Sequence, residues 1–171
     1  MILKIIRPLF PFALLIGFCS ALHATLELKK GDHITLVGTG MGSRMVHYGH
    51  FETELHLRFP ALNLTIRNLC DEGNTPGFRP HPGREQQAQY AFPGAKELIS
   101  KKLQTTSGPK GHFESPDKWL TRLETDVLLA FFGFNSSFDG QRELGRFKKE
   151  LDAFLKHTLS QKYNGESTPR L

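Results

Sequence analysis

The stretch Thr125–Gly140, TDVLLAFFGFNSSFDG, constrains the fold of this chain more than any other. Its apolar run from Val127 to Phe134 is interrupted only by Gly133, is too short to cross a membrane and shows no polar alternation. Such a run predicts a strand buried on both faces, as in a parallel sheet with helices on either side. The expected fold class is therefore α/β, a three-layer α/β/α sandwich. The run gives way abruptly to Asn135-Ser136-Ser137. Open α/β sheets take their ligands beyond the carboxyl ends of the strands, so the Asn135 amide is a candidate site group.

The first part of the chain reads differently. Lys4 and Arg7 are followed by the apolar run Leu9–Ala21 and then by small residues, with no acid before Glu27. That order of basic, apolar and small residues predicts a secretory signal over residues 1–24, cleaved after Ala24 or, alternatively, after Ala21. A spanning helix needs ~20 apolar residues, which this run does not supply. The expected location is secreted or periplasmic, with no membrane association after cleavage. Of the two cysteines only Cys70 lies beyond the signal, so no disulfide framework is expected in residues 25–171, which are long enough for one domain.

The formal net charge is +5, and its basic surplus gathers between Gly77 and His112, where Arg79, Arg84, Lys96, Lys101, Lys102 and Lys110 face Glu85 and Glu97. No nucleic-acid motif accompanies these residues, so they are read as a solvated face and no nucleic-acid partner is expected. Prolines 80, 82, 93 and 109 mark residues 77–112 as an irregular basic insertion over the surface, with one short helix around Ala95–Leu103.

Elsewhere the order is regular. Gly31-Asp32 makes a turn before the strand His33–Val37. A glycine loop, Gly38-Thr39-Gly40-Met41-Gly42-Ser43, leads into a helical pattern in which Tyr48, Phe51, Leu55 and Phe59 share a face. Pro60 ends it, and Leu62, Leu64 and Ile66 alternate as a second strand, making a βαβ unit with parallel strands. Ser115-Pro116-Asp117 is a helix start with a hydroxyl cap, proline at the first position and an acid in the first turn, and Trp119 and Leu123 are expected to pack inward from it. A last helix is expected from Asp139 to about Tyr163, with Leu144, Phe147, Leu151, Phe154 and Leu155 on one face, followed by the turn Asn164–Pro169. This ending implies a further strand beside Val127–Phe134, so a complementary C-terminal segment is an expected partner.

Strand, glycine loop and helix permit a dinucleotide reading, in which glycines admit a pyrophosphate to the helix N-terminus. Ser43 stands where the third glycine belongs, and the second strand ends in Arg67-Asn68 without an acid for a ribose. A second reading joins all three loops. Gly31-Asp32, Val37-Gly38-Thr39-Gly40-Met41, Arg67-Asn68-Leu69 with Gly73, the segment Phe113–Leu120 and above all Phe131–Phe138, followed by Gln161-Lys162-Tyr163-Asn164-Gly165, occur in one order. In these segments the chain resembles the SGNH (GDSL-type) ester hydrolases, in particular a planctomycete and verrucomicrobial branch, over Leu28 to Leu171.

The resemblance implies a flavodoxin-like sandwich and an ester hydrolase acting on small or carbohydrate O-acyl esters, without cofactor or metal. It implies an oxyanion hole formed by the backbone N–H at the nucleophile position, the Gly73 N–H and the Asn135 side chain. Aligned on Gly38, however, the aspartate position of the motif is Thr39 and the nucleophile position is Gly40, which has no hydroxyl. The family's Asp-x-x-His pair has no counterpart either, because none of the eight histidines follows an aspartate at that spacing near the C-terminus. The chain thus resembles the N-terminal portion of the domain, and its expected state is catalytically impaired. Ser43 is the alternative nucleophile, more simply a capping hydroxyl in the first helical turn. Cys70 is read as a packed thiol, Asn135 alternatively as a turn cap, and a non-catalytic ligand-binding remnant is the competing function.

Overall fold

The computed structural model describes residues 26–79, 89–104 and 114–171. The expected signal segment lies outside these residues, as do His81, Arg84, Glu85, Lys110 and His112. In chain order the elements are β1 (His33–Gly38), α1 (Gly40–Arg44), α2 (His50–Arg58), β2 (Thr65–Asn68), α3 (Ala95–Leu98), α4 (Lys101–Gln104), α5 (Pro116–Arg122), β3 (Val127–Phe131), α6 (Phe134–Ser137) and α7 (Leu144–Leu159). The strands form one parallel sheet in the order β2-β1-β3. Its register runs from His33 opposite Thr65 to Leu36 opposite Asn68 on one side, and from Ile34 opposite Val127 to Gly38 opposite Phe131 on the other.

The period-two rule sorts the core into two clusters. Ile34, Leu36, Ile66 and Val127 turn to one face, where Phe51 and Leu55 of α2 cover them. Val37 and Leu128 turn to the other, against Ala95, Leu120, Phe154 and Tyr163. The architecture is thus the expected α/β sandwich with helices on both faces. Each fully buried aliphatic here contributes about 1.5–3 kcal/mol relative to exposure. On the second face Thr35 and Thr125, buried under the helices, satisfy each other through a 2.7 Å hydroxyl pair.

Several local expectations are corrected. The glycine-loop helix is broken by a short 3-10 turn over Met45–His47 and by Gly49 at φ 59°, so Tyr48 is 70% exposed and leaves the apolar face. Leu62 and Leu64 belong to the core cluster but precede β2, in a 3-10 turn and an extended link. The central apolar run is a strand only to Phe131, and Ala130 within it is exposed. Phe134, beyond a glycine at φ 113°, starts a helical turn and stands 62% exposed. Leu120, rather than Trp119 or Leu123, is the buried anchor of α5. Ser115 caps that helix as expected, accepting the Lys118 N–H at 3.4 Å.

The segment read as a surface insertion contributes to the core. Phe78 and Tyr90 pair in an antiparallel bridge, and Ala91, Phe92, Ala95 and Ile99 are buried. Of its charges, Lys96, Lys101 and Lys102 are on the exposed side where the sequence placed them, whereas Arg79 is not part of a solvated face but is drawn inward, its guanidinium against the Phe132 ring and the Thr75 carbonyl.

After α7 the chain turns at Gly165 and returns to the outer edge of β3. Leu128 N–H donates to the Arg170 carbonyl at 2.8 Å and Arg170 N–H to the Asp126 carbonyl at 2.9 Å, a single parallel bridge at Val127. The Arg170 guanidinium then meets Asp32 Oδ1 at 2.5 Å, while Asp32 Oδ2 accepts the Lys29 N–H at 2.6 Å. Asp32 is only 4% exposed, so these donors replace the water its carboxylate oxygens have lost. Arg170→Ala should therefore lower stability by about 1.5–3 kcal/mol, the range for hydrogen bonds to charged groups. Urea unfolding reads this as a lower midpoint at unchanged slope, and an unchanged midpoint would show that the pair contributes nothing.

Candidate functional site

The carboxyl ends of β1, β2 and β3 are tied together by two asparagines. Asn74 donates its Nδ2 to the Gly38 carbonyl at 2.9 Å, linking the loop after β2 to the end of β1. The same carbonyl accepts the Asp71 N–H at 2.9 Å. Asn135 donates its Nδ2 to the Asn74 carbonyl at 3.2 Å, bringing the loop after β3 into the same junction. Asn135 therefore acts across the sheet and does not cap its own turn.

Gly38 allows the junction to be this tight. Its φ of 134° is a conformation that L side chains rarely adopt, and a Cβ there would lie 2.3 Å from the Phe131 carbonyl oxygen. That oxygen also accepts the Thr39 N–H at 2.9 Å, which locks the first loop to the end of β3. Gly42 has a related role, since a Cβ there would meet Cys70 Sγ at 2.3 Å. Asn68 reinforces this approach by donating Nδ2 to the Gly42 carbonyl at 2.7 Å.

A crevice of about 620 Å³ opens over this junction, with Thr39, Gly40, Phe131, Phe134, Asn135 and Glu72 among its walls. Gly40, at the start of α1, and Gly73 donate their N–H groups to no described residue. Gly73 is exposed at φ 87°, next to the Asn74 whose carbonyl holds Asn135. The crevice thus has the Gly40 N–H and the fixed Asn135 amide in its wall, with Gly73 one residue beyond Glu72, which also lines it. Thr39 adds a buried hydroxyl, 2% exposed and without a hydrogen-bond partner.

No activated nucleophile accompanies them among the described residues. Among the described residues, no hydroxyl or thiol is hydrogen-bonded to an imidazole. Ser43 donates its hydroxyl to the Gly40 carbonyl at 3.1 Å, within its own helical turn. His33 lies at the opposite end of β1, with Nδ1 at 3.0 Å from the Leu123 carbonyl. His157 is paired instead with a carboxylate that sequence reading assigned only to a helix start. Its Nε2 is 2.8 Å from Asp117 Oδ2, while the Tyr163 hydroxyl donates to Asp117 Oδ1 at 2.8 Å. Burial and then the Asp117 carboxylate push the Tyr163 phenol well above the ordinary tyrosine range. This trio clasps α5 to α7 and the segment beyond it. No local pattern signals it, because Asp117 lies 40 and 46 positions from its two partners.

Cys70 is half-buried against Gly42 in the loop after β2. Burial pushes its thiol up to about 12, against the opposing charge of Arg79 and with a further rise from Asp71. The thiolate is the form that attacks alkylating reagents, so Cys70 should react about 10–100-fold more slowly at pH 8 in the native protein than in urea. Mass-spectrometric quantification of alkylation on the Cys70 peptide measures the ratio, and native labelling at the unfolded rate would contradict the assignment. No protein-family model, no curated protein and no solved structure matches this chain.

Proposed function

We propose that this protein is an exported relative of the SGNH-type ester hydrolases that binds a small ester or an acylated carbohydrate without turning it over efficiently. The observation that carries this reading is the Asn135 amide, held at 3.2 Å on the Asn74 carbonyl in the wall of a crevice it shares with Gly40. In such a site an ester carbonyl oxygen would accept from the Gly40 N–H, the Gly73 N–H and the second Asn135 amide proton. These donors would polarise the carbonyl, as an oxyanion hole does. The step that follows in a serine hydrolase, attack by a hydroxyl deprotonated by a neighbouring imidazole, has no group to perform it among the described residues.

A site with binding and oxyanion donors alone retains only about 10³–10⁴-fold acceleration over water. Purified mature protein should therefore show no fluorophosphonate labelling and no turnover of p-nitrophenyl acetate at enzyme-like rates. Acetylated mono- and oligosaccharides should bind, and Asn135→Ala should weaken that binding. Enzyme-like hydrolysis lost in Asn135→Ala would replace this reading with an active esterase, and Ser43 would be the first nucleophile to test. Export is checked separately. Mass spectrometry of the native protein should find an N-terminus between Leu22 and Leu26, and an intact Met1 on a soluble cytoplasmic product would exclude the signal.

A further inference from the structure

A second concavity, of about 440 Å³, is walled mainly by apolar side chains, among them Val37, Leu69, Leu120 and Phe154, with Trp119 at one side. Arg79 stands in the same wall as its cation among the described residues. Its Nη1 donates to the carbonyls of Thr75 and Phe78, and its guanidinium lies 5.0 Å from the centre of the Phe132 ring and 6.0 Å from that of Phe154. Its Nε and Nη2 make no hydrogen bond, and no carboxylate pairs with it, among the described residues. Burial draws its ionisation down to about 10, so the charge persists at neutral pH.

Burial of this cation is only partly offset by the carboxylates of Glu150 and Asp117, neither within ion-pair distance, and a planar guanidinium whose Nε and Nη2 bond no described residue matches a carboxylate. The carboxylates that share the wall are already engaged. Asp117 holds His157 and Tyr163, Glu114 holds Arg122 at 2.7 Å, and Asp71 accepts the Glu72 N–H. The second unmet group is an acceptor. Asn74, 2% exposed and also in this wall, spends its Nδ2 on Gly38 and leaves Oδ1 without a partner. Arg79 and Asn74 are neighbours here, since the Arg79 guanidinium is bonded to the carbonyl of Thr75.

We propose that this cavity binds a small apolar carboxylic acid bearing a hydroxyl or ammonium donor beside its carboxylate. The carboxylate meets the free edge of Arg79, the donor meets Asn74 Oδ1, and the hydrocarbon fills the wall between Leu69, Leu120 and Phe154. The site is separate from the crevice over Gly40 and does not depend on the reading given to that crevice.

Trp119 is the chain's single tryptophan, so its emission reports occupancy directly. Titration of the mature protein with leucic acid, isocaproic acid and isohexanol separates the contributions. Leucic acid should bind tightest, isocaproic acid, which lacks the donor, several-fold more weakly, and isohexanol, which lacks the carboxylate, about tenfold or more below leucic acid. Arg79→Gln should lower leucic acid affinity at least about tenfold and leave isohexanol unchanged. Met41→Ala, in the wall of the ester crevice and 62% exposed, should leave all three unchanged, which distinguishes this site from that crevice. If Arg79→Gln fails to fold, the ligand series on the wild-type protein decides alone. Equal affinity for the alcohol and the acids, or no response to any of them at millimolar concentration, overturns the proposal.

Discussion

Gly38→Ala is expected to leave little or no folded protein. The new Cβ would lie 2.3 Å from the Phe131 carbonyl oxygen, 2.6 Å from its carbon and 2.8 Å from its Cα, all backbone atoms of the paired strand. No rotamer change relieves such a clash. β1 and β3 would have to separate where Gly38 pairs with Phe131, releasing the Thr39 N–H and withdrawing the carbonyl that Asn74 and Asp71 use. The backbone at φ 134° adds strain for any side chain. The combined cost should exceed about 4 kcal/mol, which is exceptional for one substitution and comparable with the roughly 5–15 kcal/mol that holds a domain folded. Soluble yield and far-ultraviolet circular dichroism provide the measurement. Gly31→Ala is the control, because Gly31 also has positive φ, 83°, but a methyl group there would meet no heavy atom within 4 Å. It should lose only about 1–2 kcal/mol. A Gly38→Ala protein that melts with the wild type would mean that the strand ends are not so closely joined.

Glu150→Ala should be nearly as damaging, by a different mechanism. Glu150 is fully buried on α7, although its neighbours Lys149 and Asp152 are exposed. Its Oε1 accepts from the Thr75 hydroxyl at 2.5 Å and the Gly77 N–H at 2.8 Å, and its Oε2 from Arg146 Nη1 at 3.1 Å. Alanine would leave a buried hydroxyl, a buried N–H and part of a guanidinium without acceptors. Breaking a buried charged arrangement by removing one member costs about 3–5 kcal/mol. Arg146→Ala should cost less, because the two bonds to Oε1 survive and Arg146 also bonds the half-exposed Asp139 and Glu143. Urea midpoints for the two variants check this order. Arg146→Ala falling further than Glu150→Ala would show that the surface ion pairs, rather than the link to the Thr75 loop, hold α7 in place.

The loop that Glu150 secures runs from Asn74 to Phe78, so this carboxylate also supports both concavities. Asn74 places Asn135 at one and Oδ1 at the other. Loss of Glu150 should consequently weaken ligand binding at both before the domain unfolds.

Local signals account for the sheet and for the start of α5. The β-branched run of β1, the uniform run of β3 and the serine, proline and aspartate that open α5 are each carried within a few residues, and burial on a sheet enforces them. The three strand ends were legible for the same reason, because loops that follow buried strands must emerge together at one sheet edge. How those loops are joined is a matter of packing between distant parts of the chain. Asn74 meets Gly38 across 36 positions, Asn135 meets Asn74 across 61 and Glu150 meets Thr75 across 75. Periodicity records which side of an element faces the core: Glu150, three residues after Phe147 and four before Phe154, lies at the border of the apolar face of α7, but no spacing says what a carboxylate there would meet. Whether a buried carboxylate finds a hydroxyl, a cavity draws in an arginine or Arg170 reaches the edge of β3 depends on which distant groups packing brings within about 3 Å, the range over which hydrogen bonds select their partners.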